Sequence, residues 1–296
     1  MINRRSFLAS AGAAFVLGKS QVNNNTPTIE KDVVFGRGGG LDLHCDIYRP
    51  PASVASKRTA IIHYHGGGFA RGSKEGLSEK LPRYTKRGYV SIAAQYRLSG
   101  VAKFPAQIED VKACIRWTRA NADRLGVDPA KIAVVGYSAG GFLALFAAGT
   151  QDRPEFEGTG GNAGVSTKLA ACFSFYAVTG SAWSGWRNSG LLPNGSDDTA
   201  YRAVEVANYV NAFPPTEIFH GTADVTVPIE SSQKLFEQLR QAKVPVEMHE
   251  FDGVPHEFDD HPEFGETVAQ LADFFLDRHV LNPRTYPPFS PGGQRR

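Results

Sequence analysis

Apolar residues recur along this chain with two different periods, and each period predicts a different kind of element. Leu41, Leu43, Cys45 and Ile47 alternate with Asp42, His44, Asp46 and Tyr48, the period-two pattern of an antiparallel strand covered on one face only. Later segments, Ala60-Ile61-Ile62, 90–94, 132–135, 169–178 and Ile218-Phe219, are more continuously apolar, as parallel strands covered on both faces should be. Between them Ile108, Val111, Ile115, Thr118, Ala122 and Leu125 recur at helical spacing after Pro105, which suits a first turn. Residues 138–149, 230–242 and 263–279 supply further helices, and 246–251 the last strand. This alternation predicts the α/β class: one mostly parallel, doubly wound sheet of about eight strands, with antiparallel strands at its N-terminal side.

Two segments fall outside the alternation. Residues 151–168 and 180–213 are long Gly/Ser/Asn-rich connections, read as following strands at the end where such a sheet places its ligands. The second carries Trp183 and Trp186 and is predicted to form a partial cap over the site. Residues 27–281 thus read as one domain with a cap insertion, and the Pro- and Gly-rich tail 282–296, without periodicity, as poorly ordered.

The N-terminus bears on where the protein works. Asn3-Arg4-Arg5-Ser6-Phe7-Leu8, followed by a small-residue apolar run to Leu17, reads as a twin-arginine export signal with its linker ending near residue 26. The expectation is a periplasmic or secreted bacterial protein. The run is too short for a membrane span, so no stable insertion is expected. Formal charge is only +2 over 296 residues, and Arg4, Arg5 and Lys19 fall within the first twenty positions, so a near-neutral body gives no electrostatic reason to expect nucleic acid. Cys45, Cys114 and Cys172 are odd in number, far apart and in apolar segments; they read as buried thiols without metal-type spacing.

Candidate chemistry centres on Gly136-Tyr137-Ser138-Ala139-Gly140, which lies between an apolar strand and a helix. Small residues around a serine at that hinge let the chain turn sharply and expose the hydroxyl above the strand end. A serine hydroxyl is a weak nucleophile near neutrality, so it needs a base and an acid to orient that base. Among the late histidines His249 is inside a strand, His261 precedes Pro262 and His279 ends a helix; His256, in the loop after the last strand, is the one placed as a base should be. Asp224, on the loop after Glu217-Ile218-Phe219, is the candidate acid; Asp252 is the rival but shares the short loop of His256, and Asp197 and Asp198 lie in the predicted cap. Donors for an oxyanion are expected from the backbone of Gly67 and Gly68 in His65-Gly66-Gly67-Gly68-Phe69, with the N–H of Ala139; His65 is expected to hold that loop. Phe69, Trp183 and Trp186 are candidate substrate contacts. His256, Glu257 and His261 do not make a zinc helix, because the histidines are five apart with Pro262 next, and Gly158-Thr159-Gly160-Gly161 lacks the strand and helix of a dinucleotide site.

Together these residues resemble the α/β-hydrolases, in the His-Gly-Gly-Gly branch that contains the hormone-sensitive-lipase-like esterases and the acetyl-xylan and feruloyl esterases. The resemblance extends over residues 33–280 and includes Gly72, Tyr96-Arg97-Leu98, Phe104-Pro105-Ala106, Asp110, Arg116-Trp117, Gly126-Val127-Asp128-Pro129 and His220–Asp224. Tyr137 stands where many members have Asp, and Thr179 lacks the acidic neighbour often seen there. The resemblance implies Ser138, Asp224 and His256 as nucleophile, acid and base, with no cofactor and no metal. It implies a serine ester hydrolase for short-acyl or aromatic-acid esters, with a small-molecule or oligosaccharide ester from plant polysaccharide as substrate; Trp183 and Trp186 read equally as rings that stack on a sugar or feruloyl group and as hydrophobic packing. The alternatives are an amide hydrolase of the kynurenine-formamidase type and a non-catalytic binding module that keeps the fold.

Overall fold

The computed structural model describes residues 25–287. The export-signal reading of residues 1–24 and the tail beyond 287 lie outside the described residues. Eight strands form one sheet: β1 (Thr28–Gly38), β2 (Leu41–Arg49), β3 (Ala60–Tyr64), β4 (Val90–Ala94), β5 (Ile132–Tyr137), β6 (Ala171–Phe175), β7 (Thr216–Gly221) and β8 (Val246–Phe251). Their order is β1-β2-β4-β3-β5-β6-β7-β8. β1 pairs antiparallel with β2 and β2 antiparallel with β4, while every later pairing is parallel. The helices are α1 (Pro82–Thr85), α2 (Ala106–Ala120), α3 (Ala122–Leu125), α4 (Ala139–Gly149), α5 (Asp198–Ala203), α6 (Glu230–Gln241) and α7 (Pro262–Leu276).

Side chains of the central strands alternate between two cores, one on each face of the sheet. Ile62, Tyr64, Ile132 and Val134 pack with Ile108, Val111 and Ile115 of α2, with α4, and with Leu235 and Leu239 of α6. Ile61, Ala133, Val135 and Tyr137 pack against Tyr84 of α1 and Val268, Ala272 and Phe275 of α7. Every residue of β3 to β7 is buried, which is why these strands read as continuous apolar runs in the sequence.

β2 differs from its half-covered expectation. Cys45, Asp46, Ile47 and Tyr48 are all buried. The second face is covered by the segment that follows β3: Tyr48 packs with Leu77, Leu81 and Tyr84, and the Lys74 ammonium pairs with Asp46 at 2.8 Å. A charged residue in a period-two pattern need not face water when a long cation from elsewhere satisfies it. The three cysteines are free and buried, and burial pushes the Cys114 thiol up to about 12.

The two long connections have separate fates. Residues 151–168 follow α4, not a strand, so they lie at the end of the sheet opposite the strand C-termini. There Glu157 pairs with Lys112 and Arg116 of α2, and the Gly160 carbonyl accepts from the Arg37 N–H, stitching the segment to the α2 side and β1. Residues 180–213 do lie at the ligand end, but much of the segment is part of the core: Trp186, Leu191, Leu192, Tyr201, Val204 and Val206 are buried, and α5 is capped by Asp197, whose carboxylate accepts from the Ala200 N–H. At the C-terminus Asn282 and Arg284 both bond Asp277, so ordered contacts run past residue 281. No helix among the described residues is long and apolar enough to cross a membrane.

Candidate active site

The C-terminal ends of β5, β7 and β8 converge on one cleft of about 540 Å³, lined among others by Gly67, Gly68, Ser138, Ala139 and His256. Ser138 caps α4 with φ 54° and ψ −116°, a left-handed conformation that costs a non-glycine residue of order 1–3 kcal/mol. The tight packing around the elbow imposes it. A Cβ on Gly136 would stand 2.1 Å from the Gly140 carbonyl oxygen, and one on Gly140 would stand 2.2 Å from the Tyr64 oxygen, so strand and helix approach too closely for any side chain at either position. Ser138 is thereby held at the first turn of a helix, where backbone N–H groups have no intrahelical acceptor and the dipole favours negative charge.

Asp224 sits on the loop after β7, and the loop after β8 carries His256. Backbone bonds tie the two loops together, Thr222 N–H to Phe251 at 2.9 Å and Ala223 N–H to Val254 at 3.1 Å. His256 Nδ1 lies 2.6 Å from Asp224 Oδ2. With the carboxylate ionised, Nδ1 carries the proton and donates it, which leaves Nε2 as the free basic nitrogen. Tyr176 packs its ring on the imidazole, centroids 4.5 Å apart, and donates its hydroxyl to Asp259 Oδ1 at 2.6 Å, so the ring of His256 is held from the side as well.

The acid is held by more than its histidine. Asp224 Oδ1 accepts the N–H groups of Thr226 (2.8 Å) and Val227 (2.9 Å), and Oδ2 also accepts from His220 Nε2 at 3.1 Å. Burial alone would raise the carboxyl of Asp224, but the bonds from His220, His256 and the Val227 N–H outweigh it and hold the group well below the usual carboxylate range. His220 is fully buried at the end of β7. Its Nε2 faces two acceptors, Asp224 Oδ2 and the Val227 carbonyl at 2.9 Å, so Nε2 bears the proton, and Nδ1 accepts from Ser232 Oγ of α6 at 2.7 Å. The chain of contacts therefore runs Ser232, His220, Asp224, His256. His220 is the residue that the sequence reading passed over. Its signal was a polar side chain at the end of an apolar strand four positions before the acid, which has to find partners if buried.

On the other side of Ser138, Gly67 and Gly68 adopt φ values of 111° and 60°, backbone that glycine alone takes without strain. Among the described residues their N–H groups donate to no protein acceptor, while the Gly67 carbonyl accepts from the N–H groups of Ala70 and Arg71. His65 is buried beneath this loop, its Nδ1 2.7 Å from the Gly66 carbonyl and its ring stacked on Tyr96 at 4.4 Å; burial depresses its pKa, against the opposing bond to Gly66.

The remaining candidates divide. Trp183 lines the cleft and donates its indole N–H to the Thr226 carbonyl at 2.9 Å. Trp186 does not line it. It is buried between Phe142 and Tyr201, at 5.1 and 6.0 Å, and belongs to the core. Phe69 is likewise fully buried, edge-on to Phe142 at 5.6 Å, and is corrected from substrate contact to core residue. The rival acids have other tasks: Asp252 meets Thr222, Asp197 caps α5 and Asp198 pairs with Arg187. His249 bonds Glu217 at 2.9 Å. Tyr137, in the position beside the serine, points inward with its hydroxyl 3.3 Å from His63, and Thr179 meets Ser231 at 2.7 Å.

A mostly parallel sheet with antiparallel first strands, a strained serine elbow on β5 and a carboxylate–histidine pair on the last two loops define the α/β-hydrolase class. A family model described as BD-FAE matches residues 45–239, and the chain belongs to that family. Thermogutta terrifontis esterase 2, in a structure phosphoramylated by tabun, is 30% identical with a TM-score of 0.74, over 88% of this chain and 97% of that one. The same esterase has also been solved with butyrate and with propionate bound. A truncated carbohydrate esterase from gut microbiota shares the fold, with a TM-score of 0.75 at 23% identity over 87% of this chain and 98% of that one. The probable carboxylic ester hydrolase LipM of Mycobacterium tuberculosis is 29% identical over 243 residues, 77% of this chain and 56% of its own length. The chain spans less than two thirds of the length of this and two further mycobacterial esterase relatives.

Proposed function

We propose that the protein is a serine carboxylesterase that works through an acyl-enzyme. The observation that carries this reading is the 2.6 Å bond between Asp224 and His256, made in the same cleft as the strained Ser138 and the unused glycine N–H groups. His256 Nε2 takes the Ser138 proton as Oγ attacks the ester carbonyl, and the charge that develops on the carbonyl oxygen is met by the N–H groups of Gly67, Gly68 and Ala139. His256 then gives the proton to the departing alcohol. Water, deprotonated in turn by His256, cleaves the acyl-enzyme and releases the acid. Asp224 stays ionised throughout, as the bonds to its two oxygens favour.

The acyl group is read as short or aromatic and the alcohol as part of a plant-polysaccharide fragment. Membership of the BD-FAE family, the carboxylates bound to the Thermogutta relative, and an apolar cleft wall of Val178, Trp183 and Val227 support it. Export, argued from Arg4-Arg5 and the run behind it, is part of the same proposal. The test is hydrolysis of p-nitrophenyl acetate by the purified protein and by Ser138→Ala. Turnover by the first and its loss in the second is expected; a Ser138→Ala enzyme as fast as wild type would refute the assignment. An ester assayed beside its formamide analogue separates esterase from amidase.

A further inference from the structure

Away from the cleft, β7 and β8 bring a second group of titratable side chains together. Their parallel register sets Glu217 beside Glu247 and Phe219 beside His249, so Glu217, Glu247 and His249 share one face of the sheet. One ligand-type atom of each lies within 4.8 Å of the other two. The π-helical turn Asp277–Leu281 after α7 adds a fourth. It brings His279 onto this group, with its ring centroid 4.4 Å from that of Phe275 and its Nε2 3.8 Å from Glu247 Oε1.

Glu217 is the member whose needs are not met. Its side chain is 1% exposed; Oε1 accepts from His249 Nε2 at 2.9 Å, and Oε2 is buried with no hydrogen-bond partner among the described residues. Asp224, also buried, has four donors. A carboxylate taken out of water with one oxygen unmet is strongly disfavoured. Arg278 does not cure this, because its guanidinium goes to Glu247, and its own Nε is also buried without a partner. Two carboxylates thus share one guanidinium, and the group is short of positive charge.

The donor set says which cation would fit. Two carboxylate oxygens and two imidazole nitrogens suit a four-coordinate ion such as zinc, with ligands at about 2.0–2.2 Å, whereas calcium and magnesium take shells of oxygen. Four ligands around such an ion stand roughly 3.4 Å apart. The separations here bracket that value, 2.9 Å from His249 to Glu217 and 3.8 Å from His279 to Glu247, so small side-chain shifts close the shell. Glu247, His249 and His279 are partly exposed, which gives an ion a path from solvent. Arg278 keeps its place as the donor that holds a ligating carboxylate.

We propose that Glu217, Glu247, His249 and His279 form a structural site for a divalent transition metal, zinc by its ligand preferences, that pins the edge strand β8 and the turn after α7 to β7. The loops of Asp224 and His256 follow the C-terminal ends of these two strands, and the four residues lie outside the lining of the cleft, so the metal acts on stability and not on substrate. The purified, tag-free full-length protein, stripped with a chelator, is titrated with zinc chloride and followed by calorimetry and thermal unfolding. Wild type should bind zinc and gain about 5 °C in Tm at saturating metal, with no gain from magnesium or calcium. His249→Asn and His279→Asn, both at partly exposed positions, should keep the metal-free Tm within a few degrees of wild type, lower zinc affinity at least about tenfold and lose the gain. A wild type that zinc does not stabilise overturns the site whatever the variants do. A gain that persists in either variant overturns the proposed shell, since zinc held at any other histidine survives both substitutions.

Discussion

Asp224 accepts four hydrogen bonds, from His256, His220 and two backbone N–H groups, while Arg71 and Glu257, on the rim of the same cleft, have no ion-pair partner among the described residues. In the proposed mechanism the first region carries a charge that must stay in one place and one protonation state through every step. Saturating it with four donors keeps the carboxylate ionised and the imidazole in one tautomer, with no reorganisation left to do. The second region carries charges that no ion pair among the described residues has taken up. Side chains that are unpaired before binding have partners to gain from a ligand and no internal bond to break. Within one cleft, the saturated charge sits against the candidate base and the charges without ion pairs stand at the rim.

The largest effect is expected where the saturated corner is broken at its centre. Asp224→Asn keeps the shape but removes the charge and the acceptor that fixes the tautomer of His256; kcat should fall about 10³- to 10⁴-fold with a much smaller change in KM, read by steady-state kinetics on an aryl ester. Next come the two tryptophans, which look alike in sequence and differ in burial. Trp186→Ala opens a void between Phe142 and Tyr201 and should cost about 3–5 kcal/mol in chemical denaturation. Trp183→Ala should cost roughly 1 kcal/mol or less and change KM instead, since its ring lines the cleft. The smallest of the three concerns the outer part of the corner. His220→Leu and Ser232→Ala should each lower kcat about tenfold. Loss of the His220 bond lets the Asp224 carboxyl rise toward its ordinary value, so the ratio of variant to wild-type activity should decline further as pH falls, measured as a full pH profile. A flat ratio would make His220 a packing residue only.

What could be read from the chain was whatever is local. The elbow around Ser138, the glycines at 66–68 and the order acid then base are short patterns next to recognisable strands, and the sheet itself follows from two periods of apolar residues. What could not be read depends on contacts between distant segments. Phe69, Trp183 and Trp186 have the same sequence character, and only packing separates them: Phe69 and Trp186 lie against Phe142 of α4, while Trp183 lines the cleft. Asp46 looked solvent-facing because nothing near it in sequence announces Lys74. Residues 151–168 have the composition of a ligand-end loop, whereas the element before them is a helix, and a helix returns the chain to the opposite end of the sheet. His220 was hidden by its own strand: its neighbours marked β7, and its role became visible when Ser232 and Asp224 appeared on its two nitrogens.

The central claim is that Ser138 is the nucleophile, and a mechanism-based phosphonate tests it without any assumption about substrate. The folded wild-type protein, incubated with a fluorophosphonate and weighed intact, should gain one phosphonyl group, mapped to Ser138 by peptide mass spectrometry. Ser138→Ala should gain none. An unlabelled wild type, or a label that persists in Ser138→Ala, would contradict the account.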